Sequence, residues 1–322
     1  MKDVAEIEAC QLPDFDVATA SFPCQDLSLA GKREGLAGKR SGTLGEFMRL
    51  LGELRLQHRQ PRAVIIENVP GLLTSHGGRD VSTVLASLAS LGYVVDLLVI
   101  DARLFVPQSR VRVFVIGLYA GNESAGELAE PALTHKLRGA QVRKVFLENN
   151  HIHWGFLDLP VIPSQTVETL EDIVEQSDGG FEGARLVKEL SYIRGGSRLR
   201  LGKASAVAAG TGNPVYLTGF RRMRKGCVSL ELRDDGVAGC LRAVAGGSSK
   251  QLLVQAKSDG QVQIRYMTPR EYARLQGVPD SFWLPENQVA GLHALGEAVA
   301  VPVLEWLGGA VGNAVTRELV SS

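Results

Sequence analysis

Three short clusters carry residue types that can do chemistry. Pro23-Cys24-Gln25 sets a thiol directly after a proline at the end of an apolar run, and Ser, Gly, Lys and Arg follow it. Glu67-Asn68-Val69 closes a second apolar run on a carboxylate, and Gln108, Arg110 and Arg112 stand at the start of a third. A cysteine in such a place is either a small apolar filler or a reactive group. Cys10, Cys227 and Cys240 form no CxxC pair and read as fillers. His151 and His153 have no cysteine or second histidine pair at ligand spacing, so no metal is expected.

The elements that must hold these clusters alternate over residues 1–118. Val17 to Ser21, Ala63 to Ile66, Tyr93 to Ile100 and Val111 to Leu118 are apolar runs of strand length. Between them, Thr43 to Leu56 and Val81 to Leu91 place their apolar residues at helical spacing. Strands apolar on both faces and separated by helices imply a doubly wound, mostly parallel, Rossmann-like α/β sheet. Ligands bind such sheets at the carboxyl ends of the strands, where the clusters fall, so they are expected to converge on one crevice. Residues 119–262 loosen into Gly-rich, charged pieces and read as a smaller, irregular β-rich domain. Within it, Gly210 to Gly212 reads as a loop. Residues 263–322 return to helix: Thr268 as N-cap, Pro269 at the first position and Glu271 at the capping-box position, with Gly277 and Pro279 as the stop.

Composition narrows the class. The chain has 322 residues and no net charge, which excludes a uniformly basic binder of nucleic acid. The neutral total is uneven, however: Ser191 to Lys250 holds eleven Lys and Arg against three Asp and Glu, and Gly121 to Leu190 holds six against twelve. The basic residues sit among glycine and serine, in FRRMRKG and LRAVAGGSSK, a mixture suited to loops laid on phosphates. Every long apolar segment is interrupted by Gly, Pro or charge, so no membrane span is expected. The acidic start MKDVAEIEACQLPDFD lacks a secretory pattern and points to the cytoplasm, where thiols stay reduced.

The set of motifs PCQ (Pro23 to Gln25), ENV (Glu67 to Val69), QSRVR (Gln108 to Arg112), TPREYARLQGVPDSF (Thr268 to Phe282) and GEAVAVPV (Gly296 to Val303) resembles that of the DNA cytosine-5 methyltransferases. The resemblance implies a catalytic domain over residues 1–118, a target recognition domain over 119–262 and a junction over 263–322. It also implies a reaction. Carbon 5 of cytosine is too weak a nucleophile to take a methyl group from S-adenosyl-L-methionine until a thiolate adds to carbon 6. Cys24 would be that nucleophile, Glu67 the acid at ring nitrogen 3, and Arg112 the guanidinium fixing the pyrimidine carbonyl and supporting Glu67. Arg110 and Gln108 would brace the site or the nearby backbone. Because a duplex hides carbon 6, the base must be rotated out of the stack.

For double-stranded DNA, the resemblance suggests Ser28, Lys32 and Arg33 on a mobile loop after the thiol, and Arg221, Arg222, Arg224, Arg242, Gly246, Gly247 and Ser248 on the recognition domain. For the methyl donor it suggests Asp3, Pro23, Leu44, Glu297, Ala298 and Val299. Gly296 is preferred over the similar GNAV at Gly312 because AVPV follows it, although Glu297 stands where asparagine is usual. The family's opening FxGxGG strand and loop are not found. An N-terminally truncated chain is therefore expected, impaired alone, with a late start codon, a degraded gene or a second polypeptide supplying those elements as the explanations. The function expected is restriction-modification-related methylation; the alternatives are a DNA-binding remnant without catalysis and a thiol enzyme acting on free pyrimidines.

Overall fold

The apolar runs become strands where expected. In the computed structural model, residues 3–22, 42–121, 134–164, 168–176, 179–224, 226–243 and 250–321 are described. The chain runs β1 (Val17–Ser21), α1 (Gly42–Leu56), β2 (Ala63–Asn68), α2 (Arg79–Ser90), β3 (Tyr93–Asp101), β4 (Val111–Tyr119) and α3 (Ala140–Glu148). It continues through α4 (Leu170–Ile173), α5 (Gly183–Tyr192), α6 (Gly196–Thr211), β5 (Val215–Arg224), β6 (Cys227–Arg233), β7 (Leu252–Ala256) and β8 (Val262–Tyr266). It ends in α7 (Pro269–Leu275), α8 (Gln288–Glu297) and α9 (Val301–Ser321). Two compact units result: residues 1–100, 111–160 and 307–322 form the first, and residues 101–110 and 161–306 the second.

The first unit is built on a sheet of order β1-β2-β4-β3, with β1 at one edge among the described residues. Every residue of β2 is buried, as a strand covered on both faces requires. In α2, Val81, Val84, Leu85 and Leu88 form one buried stripe, each worth about 1.5–3 kcal/mol relative to exposure. They pack in a single core with Leu44 and Leu51 of α1 and with Val142 and Val145 of α3. The expectation of a mostly parallel sheet holds at β1–β2 and fails at β2–β4, which is antiparallel. A parallel pair needs a crossover connection of a dozen or more residues, usually a helix. The link from β3 to β4 carries only the 3₁₀ turn Ala102–Leu104.

The second unit holds an antiparallel sheet of order β6-β5-β7-β8. Residues 119–262 are not the irregular β region expected from sequence, since α3, α4, α5 and α6 all lie there. Gly210 belongs to α6 rather than to a loop, and Gly212 closes that helix in the left-handed conformation at φ 75°, its amide donating to the Ala208 carbonyl. The capping box of α7 forms as read: Thr268 Oγ1 accepts from the Glu271 amide at 3.1 Å, and Glu271 Oε2 accepts from the Thr268 amide at 2.8 Å. Gly277 follows at φ 70°, where a Cβ would lie 2.3 Å from Pro302. Against expectation, Gln288–Thr316 is long and apolar enough to cross a membrane by length and composition alone. That stretch breaks between α8 and α9, and Leu292, Leu295, Leu307 and Val311 are buried in the fold.

Candidate active site

Strand register assembles the acidic part of the site. Ser21, the last residue of β1, lies opposite Glu67, so the segment leading into Pro23 and Cys24 departs from beside that carboxylate. The antiparallel pairing of β4 sets Val113 against Asn68, which brings the start of β4 to the end of β2. Were β4 parallel, Arg112 would sit at the opposite end of the sheet. Instead Arg112 Nε meets Glu67 Oε1 at 2.7 Å, with side chains 14% and 11% exposed. The other carboxylate oxygen accepts from Ser21 Oγ at 2.5 Å. Arg112 Nη1 donates to the Val111 carbonyl at 2.8 Å, and Nη2 makes no bond among the described residues. Desolvation offsets much of the attraction in a pair so screened from water, and what the pair secures is one orientation for both groups.

Within the second unit, Gln108 and Arg110 donate chiefly to main-chain oxygen. Gln108 is fully buried, and its Nε2 donates to the Leu275 carbonyl at 2.8 Å and to Gln276 Oε1 at 3.2 Å. Gln276 Nε2 in turn donates to the carbonyls of Leu295 and Ala298. Arg110 Nη1 reaches the carbonyls of Leu241 and Gly296, and Nη2 that of Glu297. Segments far apart in sequence are thus joined by neutral amides and one guanidinium, which donate mostly to backbone oxygen. Sequence reasoning missed Asp101, whose carboxylate organises this turn. Its Oδ1 accepts from the amides of Arg103 and Arg110, and its Oδ2 from Ser109 Oγ. An aspartate on the last residue of a strand, just ahead of a short helical turn, was the available signal. Gln276 and Ser21 were missed too; nothing in their sequence neighbourhood marks them.

The remaining candidates separate. Pro23, Cys24, Ser28, Lys32, Arg33, Gly246, Gly247 and Ser248 lie outside the described residues. Among the donor-binding candidates, Asp3 and Glu297 are exposed, and Ala298 and Val299 are half-buried. One oxygen of Asp3 caps the Ala5 amide, leaving the other for an amino group. Leu44 is only 5% exposed and packs in the first unit's core. Gly296 approaches the Arg242 backbone so closely that a Cβ would fall 2.2 Å from its carbonyl carbon, whereas Gly312 has nothing within 4 Å. The packed copy is the one chosen from sequence.

For nucleic acid, Arg242 is exposed and Arg222 is 44% exposed, its guanidinium 5.1 Å from the Phe220 ring. Arg221 is turned the other way. It forms a fork with the buried Glu189 and lies over the Tyr266 ring, so it serves the fold of the second unit and not a solvent-facing surface. The fillers Cys10 and Cys227 are exposed instead, and Cys240 is half-buried.

Comparison with known proteins bears on this arrangement. The family model described as C-5 cytosine-specific DNA methylase matches residues 1–313. The chain belongs to that family, the DNA cytosine-5 methyltransferases. Its relatives include the Type II methyltransferase M.HpaII of Haemophilus parainfluenzae, 28% identical over 91% of this chain and 71% of the relative. Another is the Type II methyltransferase M.BanI of Aneurinibacillus aneurinilyticus, 27% identical over 94% of this chain and 81% of the relative. In fold, this methylase is similar to the Entamoeba histolytica methyltransferase EhMeth, with a TM-score of 0.56 at 15% identity, over 98% of this chain and 83% of that one. The S. pombe Dnmt2 methyltransferase gives a TM-score of 0.55 at 17% identity, with the same coverages.

Proposed function

We propose that this DNA cytosine-5 methyltransferase works on duplex DNA through a covalent Cys24 adduct with an extruded cytosine, in the modification arm of a restriction-modification system. The observation that carries the reading is the Arg112–Glu67–Ser21 cluster at the strand end that leads to Cys24. The Cys24 thiolate forms a bond to carbon 6 as the ring's carbon 5–carbon 6 double bond opens, and Glu67 in its protonated form gives its proton to nitrogen 3, so that the adduct is a neutral enamine. Arg112, fixed through Nε and Nη1, has Nη2 left for the pyrimidine carbonyl. Transfer of the methyl group to carbon 5 would leave the donor as a neutral thioether; loss of the carbon 5 proton to a base then breaks the carbon–sulfur bond and returns the thiolate, and the nitrogen 3 proton goes back to Glu67. S-Adenosyl-L-methionine would supply the electrophilic methyl group, and the exposed Asp3 of the first unit is a described residue that would hold it.

A duplex bearing 5-fluorocytosine at the target tests this. Fluorine cannot leave carbon 5 as a cation, so the adduct is trapped and survives denaturing electrophoresis. A stable complex at wild-type Cys24 that is lost in Cys24→Ser supports the mechanism. Duplex binding that is unchanged by Cys24→Ala, with no trapped complex, instead supports the DNA-binding remnant; trapping with a free nucleotide supports a pyrimidine enzyme.

A further inference from the structure

Apart from the Glu67 cluster, the second unit carries a basic concavity that the proposed mechanism does not use. It lies between the first turn of α6 and the β5–β6 hairpin, encloses about 630 Å³, and is lined by Arg194, Arg200, Arg222 and Arg233, with Ser229 and Glu231 between them. Strand parity builds it. Register sets Arg222 against Ser229 and Phe220 against Glu231. That face is opposite to the one bearing Leu217, Leu230 and Leu232, which pack in the core with Ala204 and Ala208 of α6. The α6 turn is anchored to the edge of β6 by Ser197 Oγ, which accepts from the Leu232 amide at 3.0 Å. The first-turn amides of Ser197 and Arg198 already donate to Arg194 and Gly195 carbonyls, so those two amides are not offered to a ligand.

We infer that this groove holds the sugar-phosphate backbone of the DNA substrate, with Arg194, Arg200, Arg222 and Arg233 contacting phosphates; the inference rests on the reading of duplex DNA as substrate. Each guanidinium offers a planar donor fork matched to phosphate oxygens. Three of the four meet carboxylates: Arg200 with Asp234 at 3.2 Å, Arg222 with Glu231 at 3.4 Å and Arg233 with Asp235 at 2.5 Å. Arg194 donates from Nε to the Ser191 carbonyl. The Arg200 and Arg222 pairs are 32–45% exposed and longer than a tight charge-assisted bond. Exposed pairs of that kind contribute at most about 1 kcal/mol, so a polyanion can displace their carboxylates. The concavity is also open and far larger than a lone phosphate needs, which favours a stretch of backbone over a free anion.

The test is duplex affinity against salt for the full chain, for Arg194→Gln/Arg200→Gln, for Arg222→Gln/Arg233→Gln, and for Arg143→Gln/Lys144→Gln, whose exposed side chains lie on α3 in the first unit. Each lost phosphate contact lowers the slope of log affinity against log salt by about 0.9 and costs about eightfold at 0.1 M salt. Both groove doubles should lose about 2 from the slope and about sixtyfold in affinity at 0.1 M salt, equally on target and scrambled duplexes, with the α3 double unchanged. The slope does not depend on the fraction of folded protein, so poor folding of a variant does not mimic the result. Wild-type binding with both groove slopes unchanged overturns the groove and leaves the substrate reading standing. Loss confined to the target sequence overturns it as a phosphate site, and absence of any wild-type duplex binding overturns both readings.

Discussion

Gly296→Ala and Gly312→Ala make the same chemical change in two look-alike GxAV segments, and the structure gives them opposite signs. A Cβ on Gly296 would stand 2.2 Å from the carbonyl carbon of Arg242, 2.3 Å from its oxygen and 2.4 Å from the Ala243 nitrogen. All three are backbone atoms, so no side-chain rotation relieves the overlap. Overpacking costs about 1–3 kcal/mol, and a collision with main chain belongs at the top of that range. At roughly 2–4 °C per kcal/mol for domains of 150–250 residues, the melting midpoint should fall by about 6–12 °C. Gly312 lies within α9 with nothing within 4 Å of its would-be Cβ. Alanine there relieves the entropic cost of glycine in a helix and should gain about 0.5–1 kcal/mol, or roughly 1–4 °C. Differential scanning calorimetry of the three chains reads both effects. Equal shifts, or a Gly296→Ala midpoint within 2 °C of wild type, would falsify the assignment of Gly296 as the packed copy.

Other outcomes are open to measurement. Glu67→Gln should slow single-turnover methyl transfer by about 10²–10⁴-fold, the range for a lost general acid, and a rate within tenfold of wild type would exclude Glu67 from the chemistry. Asp101→Ala removes the acceptor for the Arg110 amide at 2.9 Å, so hydrogen exchange at that amide should accelerate while β7 and β8 stay protected. Burial pushes the Tyr272 phenol up to about 12, above the unfolded value near 10, so the folded state favours the neutral phenol. That contribution is complete below about pH 10 and is lost as pH rises towards 12, by about 3 kcal/mol in all. Urea midpoints of wild type and Tyr272→Phe should therefore converge between about pH 9 and pH 12; parallel curves would refute it.

The four strands of the first unit and the first two helices were legible because each carries its full pattern, apolar runs in one case and the α2 stripe in the other. The capping box at Thr268 was legible because its signal is local and stereochemical. Helix α6 was not, since it buries only Ser197, Ala204 and Ala208 while Leu199 and Val207 face water, which leaves no apolar stripe to find. The direction of β4 was hidden because it depends on the length of the connection, and strand composition carries no direction. Arg221 was misjudged because FRRMRKG looks like one basic surface, whereas strand alternation sends Arg221 inward to Glu189 and Arg222 outward. Of the candidate site, Glu67, Arg112, Gln108 and Arg110 stood out in the sequence as polar residues at the ends of apolar runs. Their partners mostly did not: hydrogen bonds to main-chain oxygen leave no trace in residue type.

The amide chain through Gln108 and Gln276 has a consequence for protein engineering. Its bonds tie the turn before β4 to the end of α7 and the end of α8, yet every acceptor but one is a peptide oxygen. Such a clasp tolerates wide variation in the surrounding side chains and little in local geometry. A chimera that exchanges the β5–β8 sheet for that of a distant homologue should keep residues 101–110, 275–277 and 295–298 from a single parent, because half of the clasp from each source would strand buried amides without mates.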